Sequence, residues 1–180
     1  YGDVTEGTHF MGAVIDARAF DQCVAFLAHA KETPGHTLIA GAAPDKSEGY
    51  FIPPTVIACD SPTSRLMTEE IFGPILALYA YDDDAIDQVL DIVDSSTPYA
   101  LTGAIFAEDP SVMEMLSPRL RFAAGNFYIN DKPTGAVVGR QPFGGSRRSG
   151  TNDKAGSPSN LMRWVSPRNI KEQFLPPIDP

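Results

Sequence analysis

The sequence predicts an α/β fold with a mainly parallel sheet. Segments of helical period and ten or more residues alternate with short runs rich in branched and aromatic residues, and Gly, Pro and Asp separate them. The chain has 180 residues, 43% of them hydrophobic, so it can bury the core of one domain or of a large part of a bigger one.

The elements follow in order. From Ala17 to Glu32, Phe20, Cys23, Val24, Leu27 and Ala28 recur on one face, Asp16 stands as N-cap and Pro34 lies just beyond the end. Strands are expected at Thr37 to Ala40, Thr55 to Ala58 and Ile75 to Tyr81. A second helix is expected from Asp83 to about Ser95, because Ile86, Val89, Leu90 and Val93 share a face and acidic residues crowd its first turn. Strand Thr102 to Phe106 follows. Asp109-Pro110 opens a third helix in cap-then-proline order, which Pro118 should end or kink. Next comes a strand at Asn126 to Asn130. Beyond Lys132, six glycines between Gly135 and Gly156 interrupt any regular period and predict a long structured loop. Leu161 to Val165 reads as a last strand, and Leu175 to Pro180 is too rich in proline for a central one.

Bulk properties exclude several functions. A net charge of −9 disfavours phosphate backbones, so no nucleic-acid partner is expected. No apolar run approaches the roughly 18 to 20 residues that span a bilayer, and no secretory pattern opens the chain, so no membrane partner is expected. The first residue is Tyr1 rather than Met, which suggests that the natural chain extends upstream. Cys23 and Cys59 are too few for a disulfide framework and imply a reducing compartment; with His9, His29 and His36 in no ligand spacing, no metal site is expected. Trp164 is expected in the core or at a subunit interface.

Two segments could carry chemistry. In Glu69-Glu70-Ile71-Phe72-Gly73-Pro74-Ile75, side chains two apart share a side if the backbone is extended. Glu70 could then accept hydrogen bonds from ribose hydroxyls while Phe72 packs on a planar group; on spacing alone a solvated Glu beside a core Phe is the better fit. In the run from Thr134 to Gly150, small residues allow backbone N–H groups to form a nest for a carboxylate or phosphate. It ends in no Gly-Lys-Ser/Thr and opens no helix with G-x-G-x-x-G, so it is neither of the usual phosphate loops, and alone it fits a structural loop.

Together, EEIFGPI, NFYIND and QPFGGSRRSGTND resemble the C-terminal part of the catalytic domain of the aldehyde dehydrogenase superfamily. DKPTGAVVGRQPFGG with SGTNDKAG resembles its Δ1-pyrroline-5-carboxylate, or glutamate-γ-semialdehyde, dehydrogenase branch. The resemblance covers nearly the whole chain. It implies an aldehyde-dehydrogenase-like catalytic domain, incomplete on its N-terminal side, with residues 1–160 in that domain and 161–180 as a C-terminal strand and tail in subunit contacts. It implies NAD as cofactor, a small aldehyde as substrate and a homo-oligomer as the full-length assembly. Glu70 would hold the nicotinamide ribose and Phe72 would touch the nicotinamide side. Gly135 and Ala136 would offer N–H groups to the substrate carboxylate, Ala136 without the hydroxyl that some members have there, and Phe143 would pack on the aliphatic chain.

The family mechanism uses a cysteine thiolate to attack the aldehyde and a glutamate to activate water. The resemblance places both upstream of this stretch, so no catalytic residue is expected within it, and Cys23 and Cys59 are expected to be inert. Two other readings stand beside this one: a stand-alone truncated relative serving as an assembly module, and a dehydrogenase of another semialdehyde such as succinate semialdehyde. The acidic, alanine-rich character favours a bacterial cytoplasm over a mitochondrial matrix.

Overall fold

The computed structural model describes residues 1–133, 139–150, 153–175 and 178. They form two compact units, Tyr1–Thr97 and the part that starts at Pro98.

The first unit is built on helix α1, Ala17–Glu32, whose N-cap Asp16 accepts the Ala19 N–H at 2.9 Å. That bond, followed by the Arg18 guanidinium, holds the Asp16 carboxyl below the usual carboxylate range. The buried face of α1 is Phe20, Cys23, Phe26 and Ala30. It packs over a three-stranded sheet in the order β1 (His36–Ala40), β2 (Thr55–Cys59), β3 (Ile75–Leu78), in which β1 runs antiparallel and β3 parallel to β2. Strand β2 is central: Thr55, Ile57 and Cys59 are buried in alternation. Two apolar clusters result, Phe20, Cys23, Phe26, Ile52 and Ile71, and Ala30, Ile57, Cys59 and Leu66. A single turn α2, Arg65–Thr68, leads towards β3. Asp83–Ala85 forms a 3-10 turn that passes into α3, Ile86–Ser95.

The second unit pairs β5 (Thr102–Ile105) with β6 (Asn126–Ile129) in parallel, and α4 (Pro110–Arg119) connects them. Asp109 caps α4 by accepting the Ser111 N–H, and Pro110 occupies the first turn as expected. Pro118 falls in the last turn, and the helix ends one residue later. Two short strands, β4 (Tyr99–Ala100) and β7 (Ser146–Arg147), pair antiparallel.

The α/β class and the parallel pairs β2–β3 and β5–β6 agree with the sequence; the strands divide among three small sheets. Strand β3 stops at Leu78, three residues short of the expected end. A larger correction concerns Leu161 to Val165. Pro158–Leu161 is a helical turn, α5, and Met162–Trp164 continues it as 3-10, because Ser157 caps the Ser159 N–H and Pro158 fits the first helical position. Trp164 is 82% exposed, which removes the core reading for it. Among the described residues, no helix is long and apolar enough to cross a membrane.

Candidate functional site

In the first unit the segment from Glu69 to Pro74 is pinned at both ends. The Glu69 N–H closes on Arg65 O at the end of α2, and Pro74 O accepts the Thr55 N–H, extending the β2–β3 ladder. Helix α1 holds the middle. The Gln22 side chain donates to Ile71 O at 3.1 Å and lies 3.4 Å from Glu70 O, and Ile71 is buried in the α1 cluster. Gly73 lies directly on Cys23, so that a Cβ there would overlap Cys23 Sγ.

Held in this way, the segment presents Glu70 and Phe72 outward on either side of buried Ile71. The two neighbouring carboxylates are distinguished by their partners. Glu69 is engaged by Arg65 Nε at 2.9 Å, whereas the Glu70 carboxylate makes no hydrogen bond or ion pair among the described residues. Phe72 is 79% exposed, which excludes the core-Phe reading of the spacing. Its φ of 55° lies in the left-handed region. For an aromatic residue that conformation costs on the order of 1 kcal/mol and persists where the surroundings enforce it, often at ligand sites. An unpartnered carboxylate beside an exposed ring suits a ligand that carries vicinal hydroxyls and a planar base.

Both cysteines are buried, Cys23 fully, and burial pushes the Cys23 thiol above its ordinary value, the opposite of what a nucleophile needs. Among the described residues, no group of three or more His, Cys, Asp or Glu is placed to hold a metal ion.

In the second unit the loop carrying Phe143 is fixed through its backbone. The Phe143 N–H and carbonyl pair with Ala155 at 2.9 and 2.8 Å. Asn126, buried at the start of β6, donates to Pro142 O at 2.9 Å and accepts the Gly144 N–H at 3.1 Å. Lys154 Nζ donates to Gly144 O at 2.6 Å and to Gly125 O at 2.7 Å. The glycines follow from close packing: a Cβ at Gly125 would overlap Gly144 O, and one at Gly145 would overlap Ser149. Phe143 and Ala155 line a cavity of about 320 Å³ with Arg140 and Gln141 among its other walls. Gly135 and Ala136, the expected carboxylate nest, lie outside the described residues.

Sequence reasoning named Glu70, Phe72 and Phe143 as candidates but not Gln22, Asn126 or Lys154, which hold the two segments. A polar residue on the helix that also supplies Cys23, and a lysine within the glycine-rich run, were the available signals.

The sequence profile of the aldehyde dehydrogenase family matches residues 1–170. The chain is 50% identical over 175 residues to the mitochondrial Delta-1-pyrroline-5-carboxylate dehydrogenase of Dictyostelium discoideum, a match covering 97% of this chain and 31% of that protein. It is 50% identical over 177 residues to the mitochondrial protein of the same name from Homo sapiens, with the same coverages. The crystal structure of the Delta-pyrroline-5-carboxylate dehydrogenase from Mycobacterium tuberculosis bound with NAD superposes with a TM-score of 0.87 at 52% identity, covering 99% of this chain and 32% of that one. The chain thus spans about a third of the length of the relatives it matches.

Proposed function

The chain belongs to the aldehyde dehydrogenase family, and from that premise we propose that it is part of an enzyme oxidising L-glutamate γ-semialdehyde to L-glutamate with NAD, in proline breakdown. The observation that carries the cofactor side is the pairing of the uncommitted Glu70 carboxylate with the exposed, left-handed Phe72. Glu70 accepts hydrogen bonds from the ribose hydroxyls next to nicotinamide, and Phe72 sets the face against which that ring rests. NAD, when bound, supplies the hydride acceptor. Buried Ile71, the Gln22 amide and the Gly73–Cys23 contact keep both side chains in place before the cofactor arrives, which lowers the ordering cost of binding.

On the substrate side, Phe143 packs on the aliphatic chain of the aldehyde, and the backbone N–H groups of Gly135 and Ala136 take its α-carboxylate. The rigid backbone around Phe143 supports this role. The substrate class follows from the similarity to Delta-1-pyrroline-5-carboxylate dehydrogenases. Neither Cys23 nor Cys59 serves as nucleophile, since both thiols are buried; residues 1–180 alone are inactive, and the attacking cysteine belongs to another part of the full-length enzyme. Residues 161–180 join subunit contacts in a homo-oligomer, consistent with the exposed Leu161, Trp164, Ile170 and Phe174. The acidic, alanine-rich composition favours a bacterial cytoplasm.

The test is a Gly135 substitution by a bulky residue in the full-length enzyme. A selective loss of kcat/KM for L-glutamate γ-semialdehyde, with NAD binding intact, is expected from a blocked carboxylate nest. Unchanged activity on that aldehyde would turn the assignment towards another semialdehyde.

A further inference from the structure

We propose that Lys154 is a positioning residue for the substrate side of the site, acting as a charged strut that sets where Phe143 stands; the proposal rests on the reading of Phe143 as a substrate contact. Pro142, Phe143 and Gly144 expose five backbone polar groups, and each has a partner. Pro142 O and the Gly144 N–H go to Asn126, the Phe143 N–H and carbonyl go to Ala155, and Gly144 O goes to Lys154. Four of these groups have neutral partners. The partner of the fifth is an ammonium, and it also holds Gly125 O at 2.7 Å, next to the first residue of β6.

Lys154 therefore ties the Phe143 loop to the strand from which Asn126 reaches it. The two residues also lie side by side: a Cβ at Gly144 would meet Lys154 Cα and Cγ at 3.4 and 3.5 Å, an ordinary van der Waals contact. Hydrogen bonds from a charged donor are roughly twice as strong as neutral ones, so this is the strongest link in the set. The residue after Lys154, Ala155, both pairs with Phe143 and lines the cavity beside it. Removing the ammonium leaves two half-buried carbonyls without a donor and frees the loop to move by a fraction of an ångström. That distance matters, because substrate misplacement by about 1 Å can cost on the order of a hundredfold in rate.

The experiment compares Lys154→Met, Lys154→Arg and Phe143→Ala in the full-length enzyme, reading aldehyde KM, NAD KM, kcat and hydrogen exchange of peptides covering residues 139–150. Lys154→Met is expected to raise aldehyde KM about tenfold while NAD KM stays within about twofold, and to speed exchange at the Phe143 and Gly144 amides. Lys154→Arg, whose guanidinium can reach two carbonyls, should restore most of both effects. Unchanged exchange in Lys154→Met, a joint rise of both KM values, or failure of Arg to rescue exchange would overturn the strut. If exchange behaves as expected but neither Lys154→Met nor Phe143→Ala alters aldehyde KM, it is the substrate role of Phe143 that fails, and with it the positioning role of Lys154.

Discussion

Substitution of Gly73 by Ala probes how the cofactor segment is held. Gly73 has no left-handed φ, so Ala is conformationally allowed and the penalty is steric. The new methyl would overlap Cys23 Sγ, and Cys23 is fully buried in a cluster with Phe20, Phe26, Ile52 and Ile71. The sulfur cannot swing out, so α1 and the segment must part. Overpacking of this kind costs about 1–3 kcal/mol. Because Gly73 adjoins Phe72, the same displacement should raise NAD KM several-fold, by roughly 0.5–1.5 kcal/mol of lost contact energy. Cys23→Ala removes the obstructing atom at a cost of about 1 kcal/mol for the lost apolar burial. The double variant should then be more stable than the sum of the single effects by about 1–2 kcal/mol, with NAD KM returned towards the parent value. Denaturant titration and initial-rate kinetics on the full-length enzyme read both quantities. Additive single effects, or a Gly73→Ala variant of parental stability and NAD KM, would refute the claim that Gly73 and Cys23 hold the cofactor segment.

Glu70→Gln keeps the shape but halves the acceptor strength, so NAD KM should rise about tenfold with aldehyde KM unchanged; isothermal titration with NAD checks the same loss without turnover. Phe72→Gly relieves the left-handed strain and removes the ring, so denaturation should show a protein at least as stable as the parent, by up to about 1 kcal/mol, that binds NAD more weakly. The buried Cys23 thiol has its folded-state pKa raised above the ordinary 9.0. The unfolded chain therefore loses the proton first: the stabilisation is complete below that value and falls as pH rises through it, by up to about 1.4 kcal/mol per pH unit. Cys23→Ala should flatten that slope in urea titrations between neutral and alkaline pH, and an unchanged slope would assign it to other groups. A Cys23→Ser, Cys59→Ser double variant should keep the parental kcat, whereas abolished activity in a folded variant would make one of them the nucleophile.

Much of this was legible in the sequence, for identifiable reasons. Helix α1 announced itself because a helical period, an Asp cap and a following proline agree, and all three are local signals. Strand β2 was legible because it is a short branched, apolar run set off by Pro and Asp, a composition that suits its central place between two neighbours. The left-handed backbone at Phe72 was not, since nothing intrinsic to Phe favours it; burial of Ile71 and the Gly73–Cys23 contact surround it, and both are tertiary. The two-residue ladder of β4 and β7 joins residues almost fifty positions apart and leaves no periodic trace. Leu161 to Val165 was read as a strand because a short apolar run is ambiguous between strand and helix, and the deciding Ser157-Pro158 cap stands several residues upstream. For the site, Glu70 and Phe72 were singled out by a shared side that assumed extended backbone, which left-handed Phe72 does not have; the structure separated Glu70 from Glu69 through Arg65. Lys154 was missed because its partners are backbone carbonyls whose positions only the fold determines.

The most direct test is the rate of NADH formation by the full-length enzyme with L-glutamate γ-semialdehyde and with succinate semialdehyde as competing substrates. Succinate semialdehyde carries its carboxylate one carbon nearer the aldehyde, so a nest placed for the longer chain predicts a kcat/KM for L-glutamate γ-semialdehyde about a hundredfold above that for succinate semialdehyde. Equal values, or a preference for succinate semialdehyde, would contradict the assignment.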